Sequence, residues 1–124
     1  MKSQNSYFKF LQLAEAVNDA FDCFSEIDPT TMLLLEIIAI MHSDDNALTV
    51  TEAMGLTSVA SPATIHRKLY RLYEMRLIDF VFLGANRRTK YLHPTSKAEN
   101  YFSALGQSLC DATKIEVSRG SRLV

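Results

Sequence analysis

The chain has 124 residues, of which 48% are hydrophobic and 22% charged, and its formal net charge is −1. These values are typical of one small globular domain, and a chain of this length does not supply two separate hydrophobic cores. Residues 61–97 carry eight Lys and Arg against two carboxylates, whereas residues 1–60 carry two lysines and nine carboxylates. A basic face on an otherwise acidic protein indicates a polyanionic partner, and duplex DNA is the leading candidate.

An amphipathic helix is predicted over about residues 3–27, where apolar side chains recur at three- and four-residue steps. These side chains are Tyr7, Phe10, Leu11, Ala14, Val17, Phe21, Phe24 and Ile27. The stripe fits an ordinary core helix or, as we favour, a dimerisation helix. Asp28 and Pro29 then provide the N-cap and first-turn proline of a second helix, which is apolar on nearly every side and is expected to be central and buried.

Two further helices are predicted from their capping residues. Residues 48–54 indicate a short helix with Thr49 as its cap, Glu52 completing a capping box and Gly55 at its end. Ser61 and Pro62 open the next helix in the same manner. The two helices and the turn between them have the order of a helix-turn-helix motif.

Helical phasing divides the helix after Ser61 into two faces. The inner face is predicted to contain Ile65, Leu69, Leu72 and the stem of Arg76. The outer face collects Ala63, Thr64, Arg67, Tyr70, Arg71 and Glu74, with His66 and Lys68 on its flanks. Small side chains at the start and long cations beyond suit a DNA recognition helix, because the backbone enters the major groove while the cations reach bases or phosphates.

A β-hairpin is predicted directly after this helix. Residues 77–83 are rich in β-branched and aromatic side chains, residues 84–86 mark a turn, and residues 88–92 alternate as the return strand. A hairpin with arginines near its tip, placed after a helix-turn-helix, predicts a wing. A final helix is predicted from Thr95 to residue 117, and residues 118–124 are expected to be loose. The apolar side of that helix includes Ala98, Tyr101, Phe102, Leu105 and Leu109.

The order of these elements, together with the strings LTVTEAMGL, SPATIHRKLYRL and RRTKYLHPT, resembles the MarR-type winged-helix transcriptional regulators over about residues 32–110. The resemblance implies a homodimer with intertwined terminal helices, recognition helices in successive major grooves and wings at the flanking minor grooves. It matches Arg88 to the wing arginine that enters the minor groove. Three features depart from the family pattern: Asn86 replaces an aspartate that braces the wing, Arg76 replaces a helix-closing glycine, and residues 57–60 lengthen the turn.

We therefore predict a mainly α-helical fold with a small β-hairpin wing. It is expected to form one winged helix-turn-helix domain over residues 1–124, with a DNA-binding core at 28–94 and dimerisation helices at 1–27 and 95–117. The predicted DNA-binding residues are Ser61, Pro62, Ala63, Thr64, His66, Arg67, Lys68, Arg71, Arg87, Arg88 and Lys90. The predicted dimer interface contains Tyr7, Phe10, Leu11, Ala14, Val17, Phe21, Phe24, Phe102 and Leu105.

Distinct roles are expected within the DNA-binding set. Bases are assigned to Ala63, Thr64, His66 and Arg67, and phosphates to Ser61, Lys68, Arg71 and Lys90. Arg88 is assigned to the minor groove. The expected partners are double-stranded DNA, a second copy of the chain and an unidentified small-molecule effector, whose apolar pocket would look like core in the sequence.

Simpler interpretations remain open. The cations of the helix can form a solvated face, Arg87 and Arg88 can occupy a tolerant loop tip, and His66 can be exposed without a partner. Winged helices also serve as protein-docking modules, which is the second hypothesis for function. His42 with Asp44 and Asp45 could imitate a metal site, although no further clustered ligand accompanies them.

Several functional classes are not supported by the sequence. It contains no glycine-rich phosphate loop, nucleophile elbow or paired-carboxylate motif, so we expect neither an enzyme nor a cofactor. Cys23 and Cys110 lie in no CxxC or Cys/His spacing, which argues against disulfides and zinc sites and favours a reducing cytoplasm. The longest apolar run, residues 32–41, is interrupted by Glu36, and no basic leader with a cleavage site is recognisable, so neither a membrane span nor a secretory signal is expected.

Overall fold

A computed structural model describes the backbone of residues 5–122 and the side chains of residues 5–114. The chain forms two compact units: Ile27–Glu99 is one, and the segments before and after it form the other. The elements in chain order are α1 (Ser6–Ala20), a 3-10 helix (Asp22–Glu26), α2 (Pro29–Ser43), α3 (Val50–Met54), α4 (Pro62–Glu74), β1 (Ile78–Val81), β2 (Tyr91–Pro94) and α5 (Ser96–Arg122). This mainly helical fold with one antiparallel hairpin is the predicted fold class.

The unit formed by the terminal segments contains α1, the 3-10 helix and α5 from residue 100 onward. Asn5 caps α1 by accepting a hydrogen bond from the Tyr7 amide at 2.8 Å. The prediction of one helix to residue 27 is wrong, because α1 ends at Ala20 and the chain continues as the 3-10 helix. The tighter turn places the ring of Phe24 face to face with Tyr101, with centroids 3.8 Å apart and planes 11° apart. Aromatic packing across the chain therefore overrides the local helical period.

The last helix also differs from its predicted bounds. Thr95 caps it, since its hydroxyl oxygen accepts a hydrogen bond from the Ala98 amide at 3.3 Å. α5 continues to Arg122, so residues 118–122 are helical rather than loose. Because no proline follows Pro94 in the sequence, no proline ring interrupts the hydrogen bonds of this helix. The last two residues of the predicted tail lie outside the described residues.

In the Ile27–Glu99 unit, the three predicted capping residues are confirmed. Asp28 accepts from the Thr31 amide at 2.6 Å to begin α2. Thr49 and Glu52 form the predicted capping box of α3, and Ser61 caps α4. Each cap acts within three residues of itself, which is why the helix starts were readable from the sequence.

The core of this unit lies among α2, α4 and the hairpin. The fully buried side chains are Leu34, Leu35, Ile38, Ile65, Leu69, Leu72, Leu77, Ile78 and Leu92. The predicted inner face of α4 is thus confirmed for its three apolar residues. The expectation that α2 is a central, buried helix holds for one face, whereas Leu33 and Ile40 are exposed together with Glu36, the polar exception in its sequence. Only one face of α2 packs against α4 and β2.

Arg76 closes α4 in an unusual backbone conformation. Its φ is +62°, in the left-handed region that favours glycine. The Arg76 amide donates to the Tyr73 carbonyl and the Leu77 amide donates to the Leu72 carbonyl, which is the Schellman pattern of a helix C-terminus. The predicted placement of the Arg76 stem on the inner face of α4 is wrong, because this turn leaves the side chain exposed.

The hairpin is shorter than predicted and its loop is longer. β1 and β2 pair antiparallel with Phe80 opposite Leu92 and Val81 opposite Tyr91. Residues 88–90 belong to the loop rather than to the return strand. The reason is long-range pairing: the Leu92 amide donates to the Leu48 carbonyl, and the Val50 amide donates to the Lys90 carbonyl. The segment before α3 therefore pairs with the start of β2.

Candidate nucleic-acid interface

The outer face of α4 is exposed along its length. Ala63, Arg67 and Glu74 lie opposite the buried line of Ile65, Leu69 and Leu72, since each residue turns the helix by about 100°. Arg71 is exposed on the side of this line that faces away from the hairpin. Ala63 has a short side chain, so the backbone of a partner can approach the first turn of the helix. Arg67 places a positive charge one turn further on.

The start of α4 is fixed by its own side chains. The Ser61 hydroxyl oxygen accepts from the Thr64 amide at 3.3 Å, and its hydrogen is donated to the Thr64 hydroxyl oxygen at 2.9 Å. The hydroxyl groups of Ser61 and Thr64 are therefore hydrogen-bonded to each other at the start of the helix. Pro62 and Ala63 are exposed beside them. The sequence assigned Ser61 to a phosphate, whereas the structure uses its hydroxyl as the helix cap.

Lys68 lies on the flank of α4 and is engaged within the protein. Its ammonium donates to the Asp28 carboxylate at 2.7 Å and to the Thr31 hydroxyl at 3.2 Å. The Lys68 side chain is only 16% exposed. This ammonium, together with the hydrogen bonds from Thr31, holds the pKa of Asp28 well below its usual range. Its charge therefore links α4 to the N-terminus of α2, and we propose that it is not available for the predicted phosphate contact.

The wing loop, residues 82–90, is organised by Asn86. The Asn86 side-chain carbonyl accepts from the Arg88 amide at 2.9 Å, and its NH2 group donates to the Thr89 hydroxyl at 3.3 Å. Gly84 adopts a φ of +62°, which a residue with a side chain would adopt only with strain. The amide thus holds the loop through the backbone, at the position where the resemblance implied an aspartate.

Aromatic rings support the cations of the wing loop. The Arg87 guanidinium lies 5.7 Å from the centre of the Phe82 ring, and the Lys90 ammonium lies 5.4 Å from the centre of the Phe80 ring. Both distances are within the range of a cation–π contact. Arg87 and Arg88 are exposed, and Lys90 is half-buried. The rings of Phe82 and Phe80 therefore hold the charged groups of Arg87 and Lys90 in place.

Phe80 also joins the hairpin to α4. Its ring lies 5.3 Å from Tyr70 and 5.0 Å from Tyr73, centroid to centroid, and Tyr70 lies 4.9 Å from His66. The row of rings fixes the hairpin beside the outer flank of α4. Sequence reasoning placed Tyr70 on the outer face without giving it a role. Its spacing from His66, one helical turn, was the signal that could have paired them.

A cleft of about 420 Å³ lies where α3, α4 and the wing loop meet. We call it the wing cleft, and its lining residues are Thr49, Val50, Thr51, His66, Tyr70, Arg88, Thr89 and Lys90. The structure therefore brings His66 of the helix and two wing cations to one place. Four hydroxyl-bearing residues complete its polar lining, so the cleft is suited to an anion with several acceptor oxygens.

A histidine pair lies elsewhere in the same unit and was missed by the sequence analysis. The rings of His42 and His93 are 4.5 Å apart, and His42 Nδ1 lies 4.0 Å from a carboxylate oxygen of Glu99. Burial lowers the pKa of His93, and the neighbouring His42 acts in the same direction. His42 therefore has partners from β2 and α5 beyond the adjacent aspartates considered from the sequence. Within the described chain, no group of three or more potential ligands is arranged to hold a metal ion.

The other unit presents an apolar surface. Tyr7 and Leu11 of the predicted dimer interface are exposed, at 61% and 44%, and so are Phe8 and Leu109, which were not assigned to it. The half-buried members of the predicted set are Phe10, Val17, Phe21, Phe102 and Leu105. Ala14 and Phe24 are buried within the chain, so their predicted place at an interface is not supported. Phe24 is covered by the Tyr101 ring.

Comparison with solved structures identifies the fold. A mutant of MepR from a multidrug-resistant S. aureus clinical isolate is 18% identical, with a TM-score of 0.64, and the match covers 96% of this chain and 85% of that chain. A mutant of S. aureus MepR bound to an oligodeoxyribonucleotide is 16% identical, with a TM-score of 0.59, and the match covers 94% of this chain and 84% of that chain. The fold is that of the MarR-type winged-helix regulators.

The S. aureus MarR in complex with salicylate and kanamycin is also similar, at 19% identity and a TM-score of 0.53, with 91% of this chain and 69% of that chain covered. No family model matches the sequence, and no curated protein matches it. Identities of this size establish the fold, and they confirm the predicted resemblance at that level. Among the helices that the structure describes, none combines the length and hydrophobicity needed to cross a membrane.

Proposed function

We propose that the protein is a sequence-specific double-stranded DNA-binding transcriptional regulator, not an enzyme, that acts as a homodimer on an operator. The main support is that His66 and Tyr70 of α4 and the cations Arg88 and Lys90 of the wing loop line one cleft, beside the exposed outer face of α4. Helix and wing together offer base-reading and phosphate-binding groups on one continuous surface. Support also comes from a neighbour of the same fold that is described as bound to an oligodeoxyribonucleotide.

We propose the following contacts for the exposed residues of this surface. Ala63 and Arg67 lie on the outermost line of α4 and are proposed to contact bases, with Thr64 at the edge of the same turn. Arg71 and Lys90 are proposed to bind phosphates. Arg88, exposed on the wing loop, is proposed to enter the minor groove.

A duplex-binding titration against genomic fragments over a salt series tests the proposal. Arg67→Met is expected to weaken binding to the preferred fragment by about 1–3 kcal/mol and to relax its sequence preference at one position. Lys114→Met, which removes an exposed cation of α5, is the matched control and should change neither quantity. Binding without sequence preference or salt dependence would favour the protein-docking module instead.

The homodimer is proposed from the exposed apolar surface of α1 and α5. Tyr7, Phe8 and Leu11 are large apolar side chains exposed on the first two turns of α1, which is unusual for a monomer and typical of an interface. Light scattering is expected to give twice the mass of the chain. Leu11→Glu should shift the mass toward the monomer, whereas Gln12→Glu adds the same charge at a neighbouring exposed position and should leave the dimer intact. A native chain that stays monomeric at micromolar concentration would contradict this part.

A small-molecule effector is proposed on narrower grounds. The S. aureus MarR of the same fold is described in complex with salicylate and kanamycin. Duplex binding measured with and without salicylate tests whether this chain responds to a related aromatic acid. An unchanged affinity at saturating salicylate would exclude that ligand.

A further inference from the structure

The charged residues that line the wing cleft are all cationic. The wing loop contributes the cations Arg88 and Lys90, and α4 contributes His66 and the hydroxyl of Tyr70. The lining residues from the start of α3 are Thr49, Val50 and Thr51, which carry no charge. Among the described residues that line the cleft, none is a carboxylate. Glu52 of α3 does not line the cleft, and its carboxylate is used in the capping box, where it accepts from the Thr49 amide at 2.9 Å. Two cations and four hydroxyl-bearing residues in one cleft favour an anion rather than a base edge.

The position of His66 on α4 separates it from the base-reading line. A step of about 100° per residue turns His66 toward the hairpin, whereas Arg67 points away from the core. The His66 ring packs against Tyr70, and Tyr70 packs against Phe80 of β1. The imidazole is therefore held at the border between helix and wing, away from the outermost line of α4.

We propose that the wing cleft binds one phosphodiester of the DNA backbone and that His66 contacts this phosphate in its protonated form, so that DNA binding takes up a proton. The inference rests on the proposed function and gives His66 a different role from the base contact expected from the sequence. Lys90 and the hydroxyl of Thr89 supply further donors to the same phosphate.

The proton uptake follows from the charges that face His66. Arg88 and Lys90 line the same cleft as His66. A phosphate placed among them brings the opposite charge and a strong acceptor, which favours the imidazolium. Duplex binding should therefore strengthen as the pH falls through the range in which histidine side chains ordinarily gain a proton.

The test compares duplex affinity at several pH values and constant ionic strength. The wild-type protein is expected to bind about five- to tenfold more tightly at pH 6 than at pH 8. His66→Gln should keep the sequence preference and lose most of this pH dependence. The double variant His42→Gln/His93→Gln is the matched control, because it removes the two other histidines, which do not line the wing cleft, and should retain the dependence.

A second measurement locates the phosphate. Single methylphosphonates, which replace one charged phosphodiester by a neutral one, are placed along the duplex in turn. At one position the substitution should weaken the wild-type protein and abolish its pH dependence, while weakening His66→Gln much less. A pH dependence that survives His66→Gln, or His66→Gln that alters the preferred base instead, would overturn the inference while leaving the proposed function intact. A protein that binds no duplex would overturn the proposed function itself.

Discussion

Replacing Lys68 by methionine distinguishes a residue that holds α4 in place from one that binds DNA. Methionine keeps an unbranched stem of similar length and removes the ammonium that donates to Asp28 and Thr31. The Asp28 carboxylate still caps α2 through its other oxygen, which accepts from the Thr31 amide. The substitution therefore removes one link between the two helices and leaves the cap.

The expected loss of stability is modest. The Asp28 side chain is 54% exposed, so solvent screens the pair and the value expected for a buried pair must be reduced. Together with the hydrogen bond to Thr31, the link is worth about 1 kcal/mol. For a chain of this size, that corresponds to a fall in Tm of about 4 °C. Asp28→Asn keeps a capping oxygen and should lose a similar amount, and the double variant should show less than the sum of the two losses.

Calorimetric unfolding and a salt series of duplex binding form the assay. Lys68→Met should leave the salt slope unchanged, since its ammonium is already paired, whereas Arg71→Met should reduce the slope by about one. The pKa of Asp28 is depressed in the folded state, so the stabilisation is complete above the unfolded-state pKa of about 3.9 and is lost as the pH falls below it. A Lys68→Met variant of native stability with a reduced salt slope would refute this reasoning and restore Lys68 as a phosphate contact.

Three single positions carry further predictions. Arg76→Gly should raise stability by about 0.5 kcal/mol in urea unfolding, because a left-handed φ costs a non-glycine residue about 1 kcal/mol and the freer unfolded chain offsets part of the gain; an equal gain for Arg76→Ala would contradict it. Asn86→Ala should weaken duplex binding by about fivefold without lowering Tm, since it releases the exposed wing loop at a cost of about 1 kcal/mol; unchanged affinity would exclude a role for loop order. Because burial depresses the pKa of His93, stability should fall as the pH drops below about 6.5, and less steeply in His93→Gln; identical pH profiles would contradict that cause.

The sequence predicted those parts of the fold that depend on neighbouring residues. The starts of α2, α3 and α4 follow from Asp28, Thr49 and Ser61, whose side chains bond to amides three positions later. The buried line of α4 follows from its period. By contrast, the end of α1 depends on Tyr101 and the start of β2 on the segment 48–50, and no local pattern specifies either.

The candidate site divides in the same way. The exposed arginines of α4 and the wing loop were found because charge and phase are properties of the sequence itself. The engagement of Lys68 was missed because its partner Asp28 lies forty residues away. The wing cleft was missed as a unit, since it is lined by three elements whose proximity is a property of the fold.

Asn86 is expected to affect how much the wing contributes to the proposed DNA binding. The loop sequence FLGANRRTK contains no acidic residue, so no carboxylate within it can hold the guanidinium of Arg88. Asn86 instead fixes the Arg88 backbone, which sets the position of the Cα but leaves the side chain to be ordered by its partner. Ordering a long side chain on binding costs about 0.5–1.5 kcal/mol, which reduces the net affinity gained from the minor groove. In a duplex with a narrow, strongly negative minor groove this cost is more fully offset, and the wing of this chain should therefore discriminate more sharply between A·T-rich and mixed flanks than a wing with a braced arginine.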